Sequence, residues 1–456
     1  MIDAAPLAMF LTTFIALIAG YPVALTLAGV ALIFALIGTV FGIFNPSDLG
    51  FAAGRLFGLV TNQTLIAIPL FVFMGVTLEK TKIAESLLSD LSSLFGRSRS
   101  GLAATVILVG ALMAASTGIV GATVVTMSLM ALPVMLKAGY DARLATGTIS
   151  ATGTLGQIIP PSIALVLLGD VLSNAYQQAQ LNQGIFAPKS VSVGDLFAGA
   201  IVPGLCLVIL YLLYVYTNIL LSKNKIDSKQ ASDQKFNVFS LLASLAPPLL
   251  LIFAVLGSII LGYATPTEAA GIGAAGAILI GIATKRLEFS TIKAISESTL
   301  STTGMVFFIL IGASIFSLVF RGFGGDEQIQ GFFDAMPGGV TTALVVVMVV
   351  IFLLGFILDF IEITFVVVPI VGPVLLAMGV DPIWLGVVIA INLQTSFLTP
   401  PFGFALFYLR GVAPSSIETK DIYLGALPFV GLQILILILL FIYPSIATWL
   451  PARLYG

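Results

Sequence analysis

Two polar stretches interrupt otherwise apolar segments of this sequence, and each is followed by a pair of prolines. The first runs from Thr152 to Gly156 before Pro160-Pro161, and the second runs from Asn392 to Ser396 before Pro400-Pro401. Proline removes a backbone donor and glycine loosens the backbone, so neither stretch favours a regular helix. The hydroxyls, carboxamides and carbonyls at such breaks are hard oxygen ligands, which suit an alkali cation.

A few charged residues lie inside or at the ends of apolar segments, where charge is costly and therefore a sign of function. Asp359 and Glu362 fall near the middle of the apolar run 341–378, and Arg321 ends a neighbouring span. A guanidinium can hold a carboxylate in a bidentate pair, so Arg321 is a candidate for binding an organic acid. The alternative is that Arg321 extends to the membrane interface.

The composition defines the class of protein. Hydrophobic residues make up 59% of 456 positions, charged residues make up 9%, and the mean hydropathy is +1.14. A soluble domain could not bury this much apolar surface, so we predict an all-α polytopic membrane protein. A net charge of −2 without a basic patch argues against a nucleic-acid partner. With no histidine and a single cysteine, Cys206, the sequence argues against imidazole chemistry, disulfides and transition-metal sites.

The two interrupted stretches belong to a longer internal repeat. Pro133, Gly139, Asp141 and the Pro160-Pro161 pair each recur 240 positions later, and the alignment needs no gap. Interrupted segments at matching places in two halves are typical of the midplane binding site of a secondary transporter. The alternative is a pair of chance kinks in an apolar chain.

Each half also contains an apolar run that is too long for one normal span and too short for two. We interpret the runs 101–136 and 341–378 as re-entrant helical hairpins with tips at 116–121 and 359–364. For the first run, the alternative is one long tilted helix with a packing face of small residues. A broken helix follows each hairpin, so the prediction is two hairpins and two broken helices.

The basic loops predict the orientation. If residues 80–99, 137–143, 223–235, 285–293 and 410–420 are all cytoplasmic, both termini lie outside. The first hairpin then enters from the cytoplasm and the second from outside. The two halves therefore run antiparallel, as an inverted repeat requires.

The remaining segments connect or flank the repeats. We predict polar loops at 45–63, 170–196 and 321–337, amphipathic pieces at 79–100 and 285–293, a linker at 222–235 and a final span at 423–449. The division into parts follows: 1–99 and 171–338 supply scaffold helices, 100–170 and 339–411 are the transport repeats, and 412–456 is a C-terminal helix.

Half-helix ends at the tips and breaks are expected to meet near the midplane, where carbonyl ends favour cations and amide ends favour anions. The predicted sodium ligands are Ser116, Thr117, Gly118, Thr152, Gly153, Thr154 and Gly156, with Asn392, Gln394, Thr395, Ser396 and Thr399 in the second half. The alternative for each hydroxyl is a bond back to a carbonyl one turn earlier. Pro160, Pro161, Pro400 and Pro401 are predicted to shape the breaks rather than to bind ligand.

Several motifs around these residues are shared with one transporter family. They are Gly153-Thr-Leu-Gly-Gln-Ile-Ile-Pro-Pro-Ser162, Ala138-Gly-Tyr140, Ala115-Ser-Thr-Gly118, Thr265-Pro-Thr-Glu-Ala-Ala270, Leu358-Asp359, Asp381-Pro382 and Thr399-Pro-Pro-Phe-Gly403. With them the sequence resembles, over nearly its whole length, the large membrane (M, DctM-like) subunit of the tripartite ATP-independent periplasmic (TRAP) transporters.

The resemblance implies an elevator-type transporter of the ion-transporter superfamily, driven by Na⁺ and placed in a bacterial inner membrane. It implies two partners on separate chains, a small four-helix membrane subunit and a periplasmic protein that delivers an organic anion. Arg321 and Asp359 are implied as substrate-site residues, and we predict that Ser116 and Thr154 join them. The second acid after Asp359 looks closer to the subgroup linked to 2-oxo acids and other monocarboxylates.

The predicted function is therefore Na⁺-coupled import of a small organic acid. One alternative is a stand-alone Na⁺/anion symporter of the same architecture that needs no binding protein. An intramembrane enzyme is disfavoured because the sequence has no histidine and no thiolate cluster. A channel is the third alternative.

Overall fold

The computed structural model of the chain describes residues 4–81, 83, 86–88, 90, 100–221 and 238–455. The regular structure of these residues is helical throughout, and eight of their helices are long and apolar enough to cross a membrane. The helices are α1 Ala5–Ile18, α2 Val23–Val40, α3 Phe51–Val60, α4 Gln63–Lys80, α5 Gly101–Thr117, α6 Val120–Lys137, α7 Ala142–Thr154, α8 Ile163–Asn182, α9 Val193–Leu221, α10 Val238–Ile260, α11 Pro266–Ala283, α12 Phe289–Gly322, α13 Gly325–Asp334, α14 Gly339–Leu354, α15 Phe360–Ala377, α16 Pro382–Leu398, α17 Phe404–Val412, α18 Thr419–Ile442 and α19 Ser445–Tyr455.

The first predicted hairpin is present as α5 and α6, joined at Gly118-Ile119 and packed against each other. Gly118 ends α5 in the left-handed conformation with φ +62°, which L residues with a side chain rarely adopt. A side chain at Gly118 would also approach the backbone nitrogen of Ile163 within 3.1 Å. The glycine therefore reverses the chain and lets the tip touch the start of α8.

The second hairpin consists of α14 and α15, which meet at residues 355–359. Asp359 begins α15 as an N-cap: its Oδ1 accepts from the backbone N–H of Phe360 at 2.7 Å. The Glu362 carboxylate accepts from the N–H of Asp359 at 3.0 Å, which completes a reciprocal capping box. A π-helical turn at Ile363–Val367 follows, and the helix then continues to Ala377. The two acids are therefore part of the device that starts the second arm.

Both predicted broken helices are present, but the breaks fall at the proline pairs: the polar stretch 392–396, expected to interrupt its helix, is itself helical, as are residues 152–154. In the first half α7 ends at Thr154, a 3₁₀ turn covers Leu155–Gln157, and helix resumes only at Ile163. In the second half α16 continues to Leu398, and α17 begins at Phe404. The Pro160-Pro161 and Pro400-Pro401 bonds both lie within the breaks, and both are cis.

The repeat extends beyond the residues that align by sequence. Adding 240 to the bounds of α6 reproduces those of α15, and the first residues of α7 and α16 are related in the same way. Gly139 and Gly379 precede these two helices in the left-handed conformation, with φ +86° and +90°. The two halves therefore repeat one arrangement of hairpin, loop and broken helix.

The helices pack into two groups. In the first, α4 packs on α11 and α12, and α12 packs on α2. In the second, α7 is enclosed by α5, α6 and α18, while α16 lies on α14, α9 and α18. Contacts of α4 with α5 and α8, and of α12 with α15, join the groups. Because α9 and α18 pack with the broken helices, they lie with the repeats rather than with α4 and α12. The division into moving and fixed parts stays a prediction.

Several connections differ from the predictions because tertiary contacts extend helices into polar sequence. Polar residues 170–182, predicted as loop, continue α8, and a loop follows only at 183–192. The predicted loops at 45–63 and 321–337 contain α3 and α13, and the 285–293 piece runs directly into α12. The final span is divided at Tyr443-Pro444 into α18 and α19. Most of the predicted amphipathic piece at 79–100 and the linker at 222–235 lie outside the described residues.

Candidate functional site: a cavity where four helix breaks meet

A cavity of about 200 Å³ lies where both hairpin tips and both helix breaks converge. The tips contribute Gly118–Gly121 and Asp359–Ile361, and the breaks contribute Gln157, Ile163 and Phe404. Val72 of α4 and Thr302 of α12 line the side that faces the other group of helices. The convergence predicted from the sequence is therefore present in the structure.

Four helices begin at this cavity. The first residues of α6, α8, α15 and α17 are Val120, Ile163, Phe360 and Phe404, and all four line it. Among the described residues no side chain caps α6, α8 or α17, so their first backbone N–H groups have no intrahelical partner. Three uncapped amide ends with positive dipole ends favour an anion in the cavity.

Two polar side chains also face the cavity, and one of them, Gln157, has an acceptor without a partner among the described residues. Asp359 uses Oδ1 to cap α15, and its side chain is exposed towards the cavity. Gln157 is 3% exposed, and no donor in the described part of the chain reaches its Oε1. A buried carboxamide oxygen without a partner costs free energy, so its position at the cavity wall favours a cation or a ligand donor there.

The first arm of each hairpin, α5 or α14, contacts the broken helix of its own repeat near its carbonyl end. A Cβ on Gly156 would lie 3.2 Å from the Ala114 carbonyl oxygen, so α5 and the 3₁₀ turn are in close contact. At the equivalent position of the second half, the Ser396 hydroxyl donates to the Phe352 carbonyl at 2.7 Å. Both contacts place carbonyl ends of helices together, an arrangement that favours a cation.

Thr154 lies in a separate, fully buried polar cluster. Its hydroxyl accepts from the Gln394 and Gln433 carboxamides at 3.3 and 3.4 Å and donates to the Ala151 carbonyl. The Gln433 carboxamide also donates to the Tyr211 hydroxyl at 2.8 Å. All four polar side chains are 0% exposed. This cluster joins α7, α16, α18 and α9 at the centre of the repeats, and none of its side chains lines the cavity.

The predicted sodium ligands divide into several environments. Gly118 lines the cavity and Gly156 adjoins the hairpin carbonyls, as expected for ligand-bearing breaks. Thr152, Thr395 and Thr399 donate one turn back, to Thr148, Ile391 and Thr395, which is the alternative stated for hydroxyls in helices.

Two further members of that set, Asn392 and Gly153, make specific packing contacts. Asn392 donates to the Met348 carbonyl of α14 at 2.8 Å, so it ties the broken helix to its hairpin. Gly153 lies within α7, where an added Cβ would come within 2.3 Å of the Val124 side chain. Thr117 is the last residue of α5, next to the cavity-lining Gly118.

The predicted substrate residues are not brought together. Asp359 lines the cavity, but Ser116 faces α4 and α10 and donates to the Leu112 carbonyl at 2.6 Å. Thr154 belongs to the buried cluster. Arg321 lies in a different cavity, where it pairs with Asp326. Side-chain direction on a helix depends on its rotation against its neighbours, which the polar pattern alone does not specify.

Gln157, Thr302 and Tyr408 line the cavity and were not predicted as site residues. For Gln157 a signal existed, since it is the polar residue between Gly156 and the proline pair. Tyr408 packs its ring against the tip, where a Cβ on Gly121 would come within 2.9 Å of it. For Thr302 and Tyr408 the sequence offers no local signal, because both contact the cavity through long-range packing.

Comparison with known proteins agrees with this architecture. Residues 10–446 match the family model described as "Tripartite ATP-independent periplasmic transporter, DctM component". The chain belongs to this TRAP transporter family. The predicted resemblance is thereby confirmed, and the chain is a multi-pass protein of the bacterial inner membrane.

Relatives of the family with curated names cover almost the whole chain. The C4-dicarboxylate TRAP transporter large permease DctM of Vibrio cholerae is 29% identical, covering 96% of each chain. The sialic acid TRAP transporter large permease SiaM of the same organism is 27% identical over 96% of this chain and 97% of its own. The ectoine TRAP transporter large permease TeaC of Halomonas elongata is 26% identical over 85% of this chain and 86% of its own.

Solved structures show that the fold is that of a helical transporter. The YdaH transporter of Alcanivorax borkumensis superposes with a TM-score of 0.66, covering 94% of this chain and 100% of that one at 14% identity. The MtrF efflux pump of Neisseria gonorrhoeae superposes with a TM-score of 0.59, covering 87% of this chain and 83% of that one at 14% identity. At this identity the likeness concerns the fold alone.

Proposed function

We propose that this chain is the large permease of a Na⁺-coupled importer, which takes up a small organic acid from a periplasmic binding protein by an elevator movement. The observation that carries the proposal is the cavity where four half-helices begin and two pairs of carbonyl ends lie close by. Such a site can hold an anion and cations next to each other without a buried ion pair between side chains.

The substrate carboxylate is assigned to the amide ends. The first residues of α6, α8 and α17 offer N–H groups that no described side chain caps, and Gly118 and Gly121 keep the tip free of bulk. A carboxylate accepts such backbone bonds as a charge-assisted acceptor. Arg321 is therefore not needed for this contact, which agrees with its position in another cavity.

Sodium is assigned to the carbonyl side. The free Oε1 of Gln157 at the cavity wall and the carbonyl ends around Gly156 in the first repeat are suitable hard ligands, as are those around Ser396 in the second. Asp359, which lines the cavity and caps α15, adds negative charge at the second tip. Bound Na⁺ would offset this charge and favour the incoming carboxylate, which gives a physical basis for coupling.

The elevator movement is supported by the packing. The repeats form one group of helices, and the cavity lies at its boundary with α4 and α12. A rigid displacement of one group against the other would carry the cavity across the membrane while its four helix ends stay together. The family description, a tripartite periplasmic transporter, supports a small membrane subunit and a binding protein as partners.

The names of the relatives support the substrate class. Three of them are named as permeases for C4-dicarboxylates, sialic acid and ectoine, which share a carboxylate. We therefore propose a small carboxylic acid as substrate of this chain.

Reconstitution tests the proposal. The cognate binding protein is screened against carboxylates by thermal shift, and its radiolabelled ligand is then supplied to proteoliposomes that contain this chain and its small subunit. Uptake is expected to need an inward Na⁺ gradient and the binding protein, and Asp359→Asn is expected to reduce it strongly. Equal uptake with K⁺ in place of Na⁺ contradicts the coupling. Undiminished uptake without the binding protein supports the stand-alone symporter instead.

A further inference from the structure

A second, larger cavity of about 490 Å³ lies between the two groups of helices and shares no lining residue with the Asp359 cavity. One wall comes from α3 and α12 and carries Arg55 and Arg321. The other wall comes from α8 and α15 and carries Asp170, Asn174 and Gln178. Two guanidinium groups therefore face carboxamides across a space large enough for a small molecule.

Arg321 is held in place by its neighbours. Its Nε lies 3.2 Å from the Asp326 carboxylate, and its guanidinium donates to the Gln178 Oε1 at 3.1 Å. The side chain therefore contacts protein on both sides of the cavity rather than extending to a membrane interface. Asp326 engages it through one oxygen only. The other oxygen, Oδ1, is buried, and no donor in the described residues reaches it.

Arg55 has no such partner. It is half-buried, and it forms no hydrogen bond or ion pair with any residue that the structure describes. Burial, and then the neighbouring Arg321 cation, lower the pKa of Arg55, while Asp326 acts in the opposite direction. A half-buried cation beside a second cation is costly unless an anion joins them.

The acid that lines the same cavity is already engaged. The Asp170 Oδ1 accepts from the Asn62 carboxamide at 2.9 Å, and Asn62 also caps α4. Asp170 is therefore tied to the start of α4, and the structure pairs neither arginine with it. Charge complementarity for the pair of arginines has to come from Asp326 or from a ligand.

We propose that this cavity is an outer binding site for a small carboxylate, held by Arg55 and Arg321, in which the ligand displaces Asp326 from Arg321. A free carboxylate can offer two oxygens to a guanidinium, whereas Asp326 uses one. Asn174 and Gln178 supply donors on the opposite wall. This proposal rests on the proposed function in one respect: it takes the bound carboxylate to be the transported acid. The site would receive that acid before the Asp359 cavity does, since the predicted orientation places Arg321 on the periplasmic side.

The test measures anion attraction and binding without transport. In a Cys206→Ser background, Ser317→Cys places a thiol on the α12 wall of the cavity. The protein is purified in phosphatidylcholine nanodiscs, which carry no net anionic lipid. Rates of modification are compared for an anionic and a cationic methanethiosulfonate (the sulfonatoethyl and trimethylammonioethyl reagents). The ratio of the two rates is normalised to Ser415→Cys, an exposed position that does not line the cavity.

The anionic reagent is expected to react about tenfold faster at Ser317→Cys after normalisation, since a charged cleft concentrates counter-ions. Arg55→Gln and Arg321→Gln should each lower the ratio, and Arg55→Lys should largely retain it. Succinate, used as the probe, should slow modification in a saturable way. This protection should weaken in both Gln variants and strengthen in Asp326→Asn, which lacks the internal competitor.

Three results would overturn the proposal, the first two of which concern the arginines and the third the ligand class. The first is a normalised ratio near one in a folded protein, and the second is succinate protection that survives the combined Arg55→Gln/Arg321→Gln substitution. The third is protection by inorganic phosphate at concentrations where succinate gives none, which would assign the site to phosphate groups. Thermal unfolding of each variant confirms that it is folded. The modification rates do not depend on transport. A failure to observe Na⁺-coupled uptake would therefore contradict the proposed function but not this binding site.

Discussion

Thr154 and Gln394 occupy equivalent positions of the two repeats, 240 residues apart, and the Gln394 carboxamide donates to the Thr154 hydroxyl at 3.3 Å. The predicted inverted repeat relates its halves by a pseudo-twofold axis, and equivalent residues can touch only near such an axis, so this pair marks where the two halves meet. Gln433 and Tyr211 join them from α18 and α9. Thr154 and Gln394, one from each broken helix, therefore join the two repeats.

Loss of the Tyr211 hydroxyl should destabilise this cluster. In Tyr211→Phe the Gln433 carboxamide loses its 2.8 Å acceptor in a fully buried place. Hydrogen bonds between membrane helices are worth about 1 kcal/mol, so a lower apparent Tm in detergent is expected. Tyr214→Phe is the control, because Tyr214 is half-buried and its hydroxyl accepts a hydrogen bond at 3.4 Å from the exposed Asn218. An equal Tm for both variants would contradict a structural role for the cluster.

Gly147 should tolerate no side chain. A Cβ there would lie 2.0 Å from the carbonyl oxygen of Gly425, so α7 and α18 touch through their backbones. Overpacking of this kind costs about 1–3 kcal/mol or more. Gly147→Ala is expected to reduce the yield of folded protein and its Tm. Gly29→Ala, where nothing lies within 4 Å of the new Cβ, should leave both unchanged. Size-exclusion profiles and thermal unfolding measure the difference.

Gln157 should affect sodium dependence. Its free Oε1 at the cavity wall is proposed as a cation ligand, and interactions of polar groups with charges are worth about 1.5–3 kcal/mol. Gln157→Leu should therefore raise the Na⁺ concentration for half-maximal uptake by about tenfold or more. Gln177→Leu is the matched control on α8, since Gln177 lies outside the cavity. Unchanged Na⁺ dependence in Gln157→Leu would remove this residue from the site.

Movement between the two groups of helices can be tested through the Asn62–Asp170 contact, which joins α4 to α8 at 2.9 Å. In a Cys206→Ser background, a mercury bridge between cysteines at these two positions should stop uptake, and dithiothreitol should restore it. The control pair replaces Arg143 and Asp421, whose Nε and Oδ1 atoms lie 2.9 Å apart and which both belong to the group of helices that contains the repeats. A bridge there should leave uptake active. Uptake that continues with the first bridge in place would argue against an elevator.

The membrane class, the repeat and the approximate positions of the helix breaks could be predicted from the sequence. Hydropathy, glycine and the proline pairs act within a few residues, and a fixed offset of 240 is visible without knowledge of packing. The breaks at Gly118 and before Ile163 therefore appear where the local chemistry requires them. The polar sequence at 170–182 was misleading because contacts with α15 keep that stretch helical.

Which polar residues face the same space depends on how the helices pack, and the sequence does not show it. Ser116, Thr154 and Arg321 were expected around one substrate, yet the structure turns them towards α4, the pseudo-twofold axis and Asp326. Gln157 and Arg55 instead become the side chains whose polar atoms need a partner. A helix carries its residues at fixed angles, but its rotation follows from shape complementarity with distant helices, and no local pattern encodes that contact.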